Sequence, residues 1–195
     1  MLSLVYQHRP PITILDDMYA DFEAWYMAHH AVYVTPCVEV PNGLRRIKLC
    51  GAAVAIAAMR TTKRSDLVFD YPWSRWINFV IGGDQVKRRK PDQDCLVYTV
   101  ARYEKPKNRY VHLGDNGSDA QAARRGHYHI LCAGALWEAE NPQTLKTSRP
   151  DILFKSFEVF SRWITQEPVI LTRRPCDVHF SEDKDGRSTN AGIDG

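Results

Sequence analysis

The sequence predicts one α+β domain, with a central antiparallel sheet of about five strands and with helices packed mainly on one face. Apolar stripes with helical spacing lie near both ends of the chain, and segments with strand-like alternation lie between them. The length of 195 residues suits one domain, and 44% apolar residues are enough to form a core. We therefore expect residues 1–180 to form a single domain and residues 181–195 to form a polar C-terminal loop or tail.

The first predicted element is a helix that begins after Asp16. Met18, Phe22 and Trp25 recur at the spacing of one helical face, which is typical of an amphipathic helix. The side chains of residues 32–40 alternate in the manner of a strand, and the segment ends at a Pro-Asn-Gly turn, so it predicts a strand.

The middle of the chain predicts most of the sheet. Residues 76–81 are aromatic and β-branched, and residues 95–103 alternate over two faces, so both predict strands. The polar segment 105–125 predicts a hairpin extension or loop, and residues 127–133 predict a buried strand. An amphipathic helix is expected to begin near Ser148, because apolar residues then recur with helical spacing.

The composition favours a cytoplasmic protein. No apolar run approaches the roughly 18 residues of a membrane span, and the N-terminus does not have the pattern of a secretory signal. The five cysteines are odd in number and form no Cys-x-x-Cys pair. A disulfide framework or a cysteine zinc site is therefore not expected, and a reducing compartment fits best.

Positive charge is concentrated in the middle of the chain. The stretch from Lys87 to Arg125 holds ten basic and five acidic residues, whereas the whole chain carries only +3. A positive strip of this kind predicts contact with a polyanion such as nucleic acid, although the run 87–90 alone is equally consistent with a solvated loop. The predicted contacts to the nucleic-acid backbone are Lys87, Arg88, Arg89, Arg124 and Arg125.

Two histidines separated by one residue are the most informative pattern in the chain. On a strand, His127 and His129 would point to the same face, because side chains alternate with a period of two. Two neutral imidazoles side by side can bind a divalent metal. The alternative is a pair of strand histidines that hydrogen-bond to their neighbours and bind no metal.

The run from Gly126 to Leu131 resembles the HUH endonucleases, which nick single-stranded DNA. The resemblance implies that His127 and His129 hold Mg²⁺ or Mn²⁺, with Glu104 as the third ligand and with Asp115 and Asp119 as weaker alternatives. It also implies a function in rolling-circle replication of a plasmid or phage. The implied partners are single-stranded DNA, further copies of the chain or host replication proteins.

The tyrosine nucleophile of that family has no obvious counterpart here. No tyrosine follows Tyr128, so we expect the nucleophile to lie outside this chain. In a relaxase-like order, Tyr19 and Tyr26 would be the candidates, although aromatic stripes on helices more often pack in the core. The competing hypothesis is a non-catalytic module that binds single-stranded nucleic acid by charge and base stacking.

Overall fold

The computed structural model describes residues 12–103, 109–125 and 128–166. The strands are β1 (Ala55–Ala57), β2 (Phe79–Ile81), β3 (Tyr110–Gly114), β4 (Ile130–Ala135) and β5 (Ile152–Phe154). The helices are α1 (Ile12–Tyr33), α2 (Val40–Leu49), α3 (Thr62–Ser65), α4 (Asp94–Arg102), α5 (Gly117–Arg125), α6 (Pro142–Thr147) and α7 (Phe157–Thr165). Two 3₁₀ turns, Asp66–Asp70 and Pro72–Trp76, lie between α3 and β2.

Every strand pair in the described residues is parallel. β1 pairs with β2, and β4 lies between β3 and β5 in a second sheet. The predicted antiparallel sheet is therefore wrong. Helices lie between the consecutive strands, and a chain that crosses over through a helix returns in the same direction, so its strands pair in parallel.

Helices cover both faces of the sheets, not mainly one as predicted. Ala133 packs in a core cluster with α2 and α7, whereas its neighbour Cys132 packs in another cluster with α4 and α5. In β1, Ile56 and Ala57 divide between the same two clusters. This alternation follows from the period of two along a strand, and it places both sheets in one layer between two layers of helices.

Two local predictions in the middle of the chain were also wrong. Residues predicted as a strand over 95–103 form α4, which buries Cys95, Leu96 and Val100. The predicted hairpin over 105–125 instead contains β3 and α5. Short apolar segments such as 95–101 do not distinguish a helix from a strand by periodicity, because nearly every position is apolar.

Two predictions near the ends of the described chain fared differently. The predicted N-terminal helix is present as α1, but it continues to Tyr33 and takes in the start of the predicted strand over 32–40. Near the other end, β5 precedes α7, which begins only at Phe157 instead of near Ser148. Pro150 and the β-branched Ile152 favour this later start, since both disfavour a helix.

The loops that follow β1 and β2 are fastened together. Asp84 accepts hydrogen bonds on Oδ1 from the backbone N–H of Thr62 at 2.7 Å and from its hydroxyl at 2.8 Å. Gly82 permits this approach, because a Cβ at that position would overlap Thr62 and Asp84.

Among the described helices, none combines the length and apolar character needed to cross a bilayer.

Candidate active site

A cluster of charged side chains lies where β1 and β3 end. β3 ends at Gly114, Asp115 follows directly, and Asp119 lies in the first turn of α5. Lys90 arrives from the loop after β2. Because the strands are parallel, their carboxyl ends share one edge of the layer, which is the usual location of ligand sites in such folds.

Lys90 connects the two sheets at this edge. Its Nζ donates a hydrogen bond to the carbonyl oxygen of Ala57, the last residue of β1, at 2.8 Å. It donates another to Oδ1 of Asp119, also at 2.8 Å. The Lys90 and Asp119 side chains are only 6% and 9% exposed, so this ion pair is almost fully withdrawn from water.

Asp119 receives two further hydrogen bonds. His112, in β3, lies with Nε2 at 3.2 Å from Asp119 Oδ1. The backbone N–H of Asn116 donates to Asp119 Oδ2 at 3.1 Å. Both oxygens of the carboxylate are thus held from three directions, which defines one orientation of the group.

Glycine at position 114 permits this arrangement. A Cβ on Gly114 would overlap the side chain of Asp119, so the carboxylate rests directly on the backbone of β3. A larger residue at this position would displace Asp119 from Lys90 and His112.

The environment favours an ionised Asp119 beside a neutral His112. Burial opposes ionisation of Asp119, but the hydrogen bond from His112 and the charge of Lys90 outweigh it and lower the pKa of the carboxyl. Burial lowers the pKa of His112 despite the hydrogen bond to Asp119. A buried cation and a buried anion therefore form the centre of the site, and the imidazole serves as a neutral donor.

Asp115 differs from Asp119 because it is exposed. It lines a cleft of about 360 Å³ that opens between the end of β3 and the start of α6. The cleft is lined by Asp115, Asn116, Gly117, Glu140, Asn141 and Thr144. A solute entering this cleft would meet oxygen and amide groups near the N-terminal end of α5.

Helix α1 lies over the loop that follows β1. Thr61 donates from Oγ1 to Oε1 of Glu23 in α1 at 2.6 Å, and the Arg60 guanidinium donates to the hydroxyl of Tyr26 at 3.4 Å. Arg64 lies over the Tyr26 ring, 4.6 Å from its centre. α1 thus contacts the segment that follows β1, the strand whose last carbonyl accepts a hydrogen bond from Lys90.

The metal ligands predicted from the histidine pair are not brought to this site. Glu104 and His127 lie outside the described residues. His129 is exposed and precedes β4, level with the start of β3, whereas Asp115 follows the end of β3. Those two positions are roughly 20 Å apart along the strands. Within the described ranges, no three His, Cys, Asp or Glu side chains form a metal-binding group.

The predicted tyrosine nucleophiles both lie on α1. Tyr19 is 60% exposed, so the expected core packing is wrong for it, and Tyr26 is partly buried against Arg60 and Arg64. Tyr26 contacts Arg60 and Arg64, which follow β1 at the carboxyl edge of the layer, whereas His129 precedes β4 at the amino edge. The structure does not bring either tyrosine to the histidine.

The predicted nucleic-acid contacts form no continuous surface. Arg88 pairs with Asp94 at 2.9 Å, and Arg89 donates to the carbonyl of Gly83. Arg124 donates to the carbonyl of Ser148 near the far end of α5, so it lies roughly one helix length from the loop that holds Arg88. Lys87 and Arg125 are exposed at those two separate places.

Lys90 is a site residue that the sequence does not predict. It ends a basic run, yet the structure buries it while its three predecessors stay exposed.

The sequence does contain a signal for the two aspartates of the site. Alternating apolar residues, a Gly-Asp pair and then an alanine-rich segment indicate a strand followed by a helix, which places Asp115 and Asp119 at the end of a strand.

Comparison with known proteins identifies relatives among phosphate-releasing enzymes. The chain is 24% identical over 147 residues to the pyrophosphatase PpaX of Listeria monocytogenes, a match that covers 72% of this chain and 64% of the relative. It is 25% identical over 117 residues to the phosphoglycolate phosphatase of Aquifex aeolicus, which covers 60% of this chain and 54% of that protein. The chain thus spans less than two thirds of the length of these curated relatives.

Solved structures share the fold. A predicted phosphoglycolate phosphatase from Haemophilus somnus superposes with a TM-score of 0.72 at 16% identity, over 83% of this chain and 71% of that one. A haloacid dehalogenase-like family hydrolase from Streptococcus pneumoniae gives a TM-score of 0.63 at 14% identity, over 79% and 72% of the two chains. The parallel layered architecture is therefore that of the haloacid dehalogenase-like hydrolases.

These matches overturn the resemblance to HUH endonucleases. The predicted DNA nicking in rolling-circle replication is wrong, and so are the predicted nucleic-acid-binding module and the predicted single-stranded DNA partner. The matching family model is that of haloacid dehalogenase-like hydrolases, the relatives are named as phosphatases, and the fold is shared with a predicted phosphatase. The expectation of a divalent metal remains consistent with the relatives. The model of the haloacid dehalogenase-like hydrolases matches residues 5–132, more than half of the chain, and the chain therefore belongs to that family.

Proposed function

We propose that this chain is a Mg²⁺-dependent phosphatase acting on a small phosphorylated anion. The observation that carries the proposal is the buried Lys90–Asp119 pair beside the exposed Asp115 at the carboxyl edge of the parallel layer. A fixed cation next to carboxylates can bind a phosphoryl group and a metal at adjacent positions. Two relatives named for hydrolysis of pyrophosphate and phosphoglycolate support the same chemistry.

Lys90 provides the contact to the phosphoryl group. An ammonium has three N–H donors, and the hydrogen bonds to Ala57 and Asp119 use two of them. The third is available for a phosphoryl oxygen. The ammonium needs no reorganisation when negative charge develops on the substrate, because both of its partners already hold it in place.

The residues at the edge of the layer fit a magnesium ion. Asp115 and Asp119 would hold it, since Mg²⁺ prefers oxygen ligands and is commonly bound by one or two carboxylates together with substrate phosphate and water. The position of Asp119 on the bare backbone of Gly114 shows that this carboxylate is built into the fold. Bound Mg²⁺ would neutralise charge on the phosphoryl oxygens and polarise the phosphorus centre.

The helices near the site favour an anionic substrate. The N-terminal end of α5 lies beside Asp115, and the dipole of a helix attracts negative charge to its N-terminus. Arg60, on the loop after β1, and Arg64, in α3, are both held by contacts with α1. A small molecule with a phosphoryl group and a second negative charge fits these surroundings.

The test is release of inorganic phosphate from p-nitrophenyl phosphate, phosphoglycolate and pyrophosphate, with Mg²⁺ and with EDTA. We expect Mg²⁺-dependent release that Asp115→Asn and Lys90→Met each reduce about 100-fold or more, the usual effect of removing one charge-stabilising group. Lys87→Met is the matched control, because Lys87 is an exposed lysine on the same loop. Release that is equal in Lys90→Met and Lys87→Met would contradict the proposal.

A further inference from the structure

His112 has a place in the site that neither the sequence patterns nor the hydrolase chemistry above uses. It lies in the middle of β3, and its side chain is only 12% exposed. The Nε2 atom lies 3.2 Å from Asp119 Oδ1, the same oxygen that accepts from Lys90. A buried imidazole and a buried ammonium therefore share one carboxylate oxygen.

The imidazole can act only as a hydrogen-bond donor toward Asp119. The carboxylate already accepts from Lys90 on Oδ1 and from the N–H of Asn116 on Oδ2, so the proton of the shared hydrogen bond belongs to Nε2 of His112. The ring thus fixes the direction in which the carboxylate points.

Without this donor, Asp119 would be held less completely. Oδ1 would keep only Lys90, whose flexible stem can follow a displaced carboxylate, and Oδ2 would keep the N–H of Asn116. The backbone of Gly114 blocks movement on one side only. Of the two side chains at Oδ1, His112 is the more rigid, because its short side chain carries a planar ring and is attached to a strand in the parallel layer.

We propose that His112 is a positioning residue, which donates from Nε2 to hold Asp119 in the orientation that serves both Lys90 and the metal. The inference rests on the proposed function, because it concerns the same carboxylate. Partners that orient a ligating carboxylate commonly change metal affinity about 10–100-fold when they are removed. The effect of His112 is therefore measurable on the metal alone.

The experiment is an electron paramagnetic resonance titration with Mn²⁺ on the full chain, with unfolding curves recorded for each variant. His112→Leu removes the N–H donor and leaves a side chain of similar size, and we expect it to weaken Mn²⁺ binding at least about tenfold. His112→Gln keeps an N–H donor at similar reach and should restore most of the affinity. His29→Leu is the matched control, because His29 is an exposed imidazole on α1 that hydrogen-bonds to the carbonyl of Trp25.

The outcomes separate the inference from the proposed function. Folded His112→Leu that binds Mn²⁺ as tightly as the wild type overturns the positioning role, and so does His112→Gln that loses as much affinity as His112→Leu. Failure to release phosphate while Mn²⁺ binding and its dependence on His112 persist overturns the proposed function alone. Absence of Mn²⁺ binding in the wild type overturns both.

A second measurement reads the hydrogen bond without any metal. Nitrogen-15 spectra of the imidazole distinguish the two neutral tautomers, and we expect His112 to carry its proton on Nε2 in the metal-free protein. Asp119→Ala should remove that preference. A wild-type ring protonated on Nδ1 instead would contradict the donor role, whatever the stability of the variants.

Discussion

Lys90 Nζ lies 2.8 Å from Asp119 Oδ1 across 29 residues of sequence, and this pair joins the loop after β2 to the first turn of α5. The same ammonium reaches the last carbonyl of β1. One lysine thus connects the end of β1 in one sheet to the helix that follows β3 in the other. The arrangement places a cation and a carboxylate at the edge where the layer can bind a ligand, so stability and binding depend on the same two side chains.

The buried pair predicts a large loss of stability when only one partner is removed. Lys90→Met leaves Asp119 buried without its counter-charge, and such losses are typically about 3–5 kcal/mol. Urea unfolding followed by circular dichroism measures the change. The exposed Lys87→Met should stay within about 0.5 kcal/mol of the wild type.

A double-mutant cycle tests whether this loss comes from the pair itself. Once Lys90 is gone, the Asp119 charge destabilises the fold, so replacing Asp119 by Leu should cost much less in Lys90→Met than in the wild type. Additive losses from the two substitutions would show that Lys90 and Asp119 stabilise the chain independently.

Gly114 predicts a second sensitive position. Gly114→Ala forces a Cβ into Asp119, so the variant should be destabilised and should lose Mn²⁺ binding. Gly117→Ala is the matched control, three residues later, where the nearest atom to an added Cβ lies at an ordinary 3.4 Å. Thermal unfolding with and without Mn²⁺ compares the two. Equal behaviour of the two variants would show that Asp119 does not depend on close approach to β3.

The sequence predicts some elements better than their arrangement. The helical spacing of Phe22 and Trp25 correctly predicts α1, but both side chains are more than 40% exposed, so the stripe does not mark the core. The alternation around Leu96 predicts a strand, whereas tertiary packing of Cys95 and Leu96 against α5 and β4 selects a helix. Periodicity is a local signal, and it cannot express which partner an apolar face will meet.

The site was harder to predict for a related reason. The sequence offers Asp115 and Asp119 only as weaker alternatives to Glu104, since the polar segment around them predicts a loop tip. Their importance comes from β3 and α5 on either side, and from Lys90, which lies far away in sequence. A basic run indicates solvated charge, and only the fold shows that its last member is buried.

The proposed metal site at Asp115 and the site predicted from the histidine pair can be distinguished by mutation. We expect Mn²⁺ to raise the midpoint of thermal unfolding and Asp115→Asn to abolish most of that rise, because Asp115 is the exposed carboxylate of the site. His129→Ala should keep the rise, since His129 lies at the opposite edge of the sheet. Loss of the rise in His129→Ala instead would favour the site predicted from Glu104, His127 and His129.

Cys132 predicts how stability falls at alkaline pH. Burial, reinforced by the nearby charge of Asp151, raises the pKa of the Cys132 thiol from its ordinary value of 9.0 to about 12. The unfolded chain therefore loses this proton at lower pH than the folded chain. The stabilisation is fully present below pH 9.0 and declines as pH rises toward about 12, by at most about 1.4 kcal/mol per pH unit.

Urea unfolding at pH 8 and at pH 10.5 measures this decline, and Cys132→Ala should flatten it. The alanine variant loses buried volume, so its stability is lower at both values, and the comparison concerns the slope with pH. Cys50→Ala is the matched control, because Cys50 is exposed and its removal should leave the slope unchanged. Equal slopes in the wild type and in Cys132→Ala would show that the thiol ionises in the folded chain as readily as in the unfolded one.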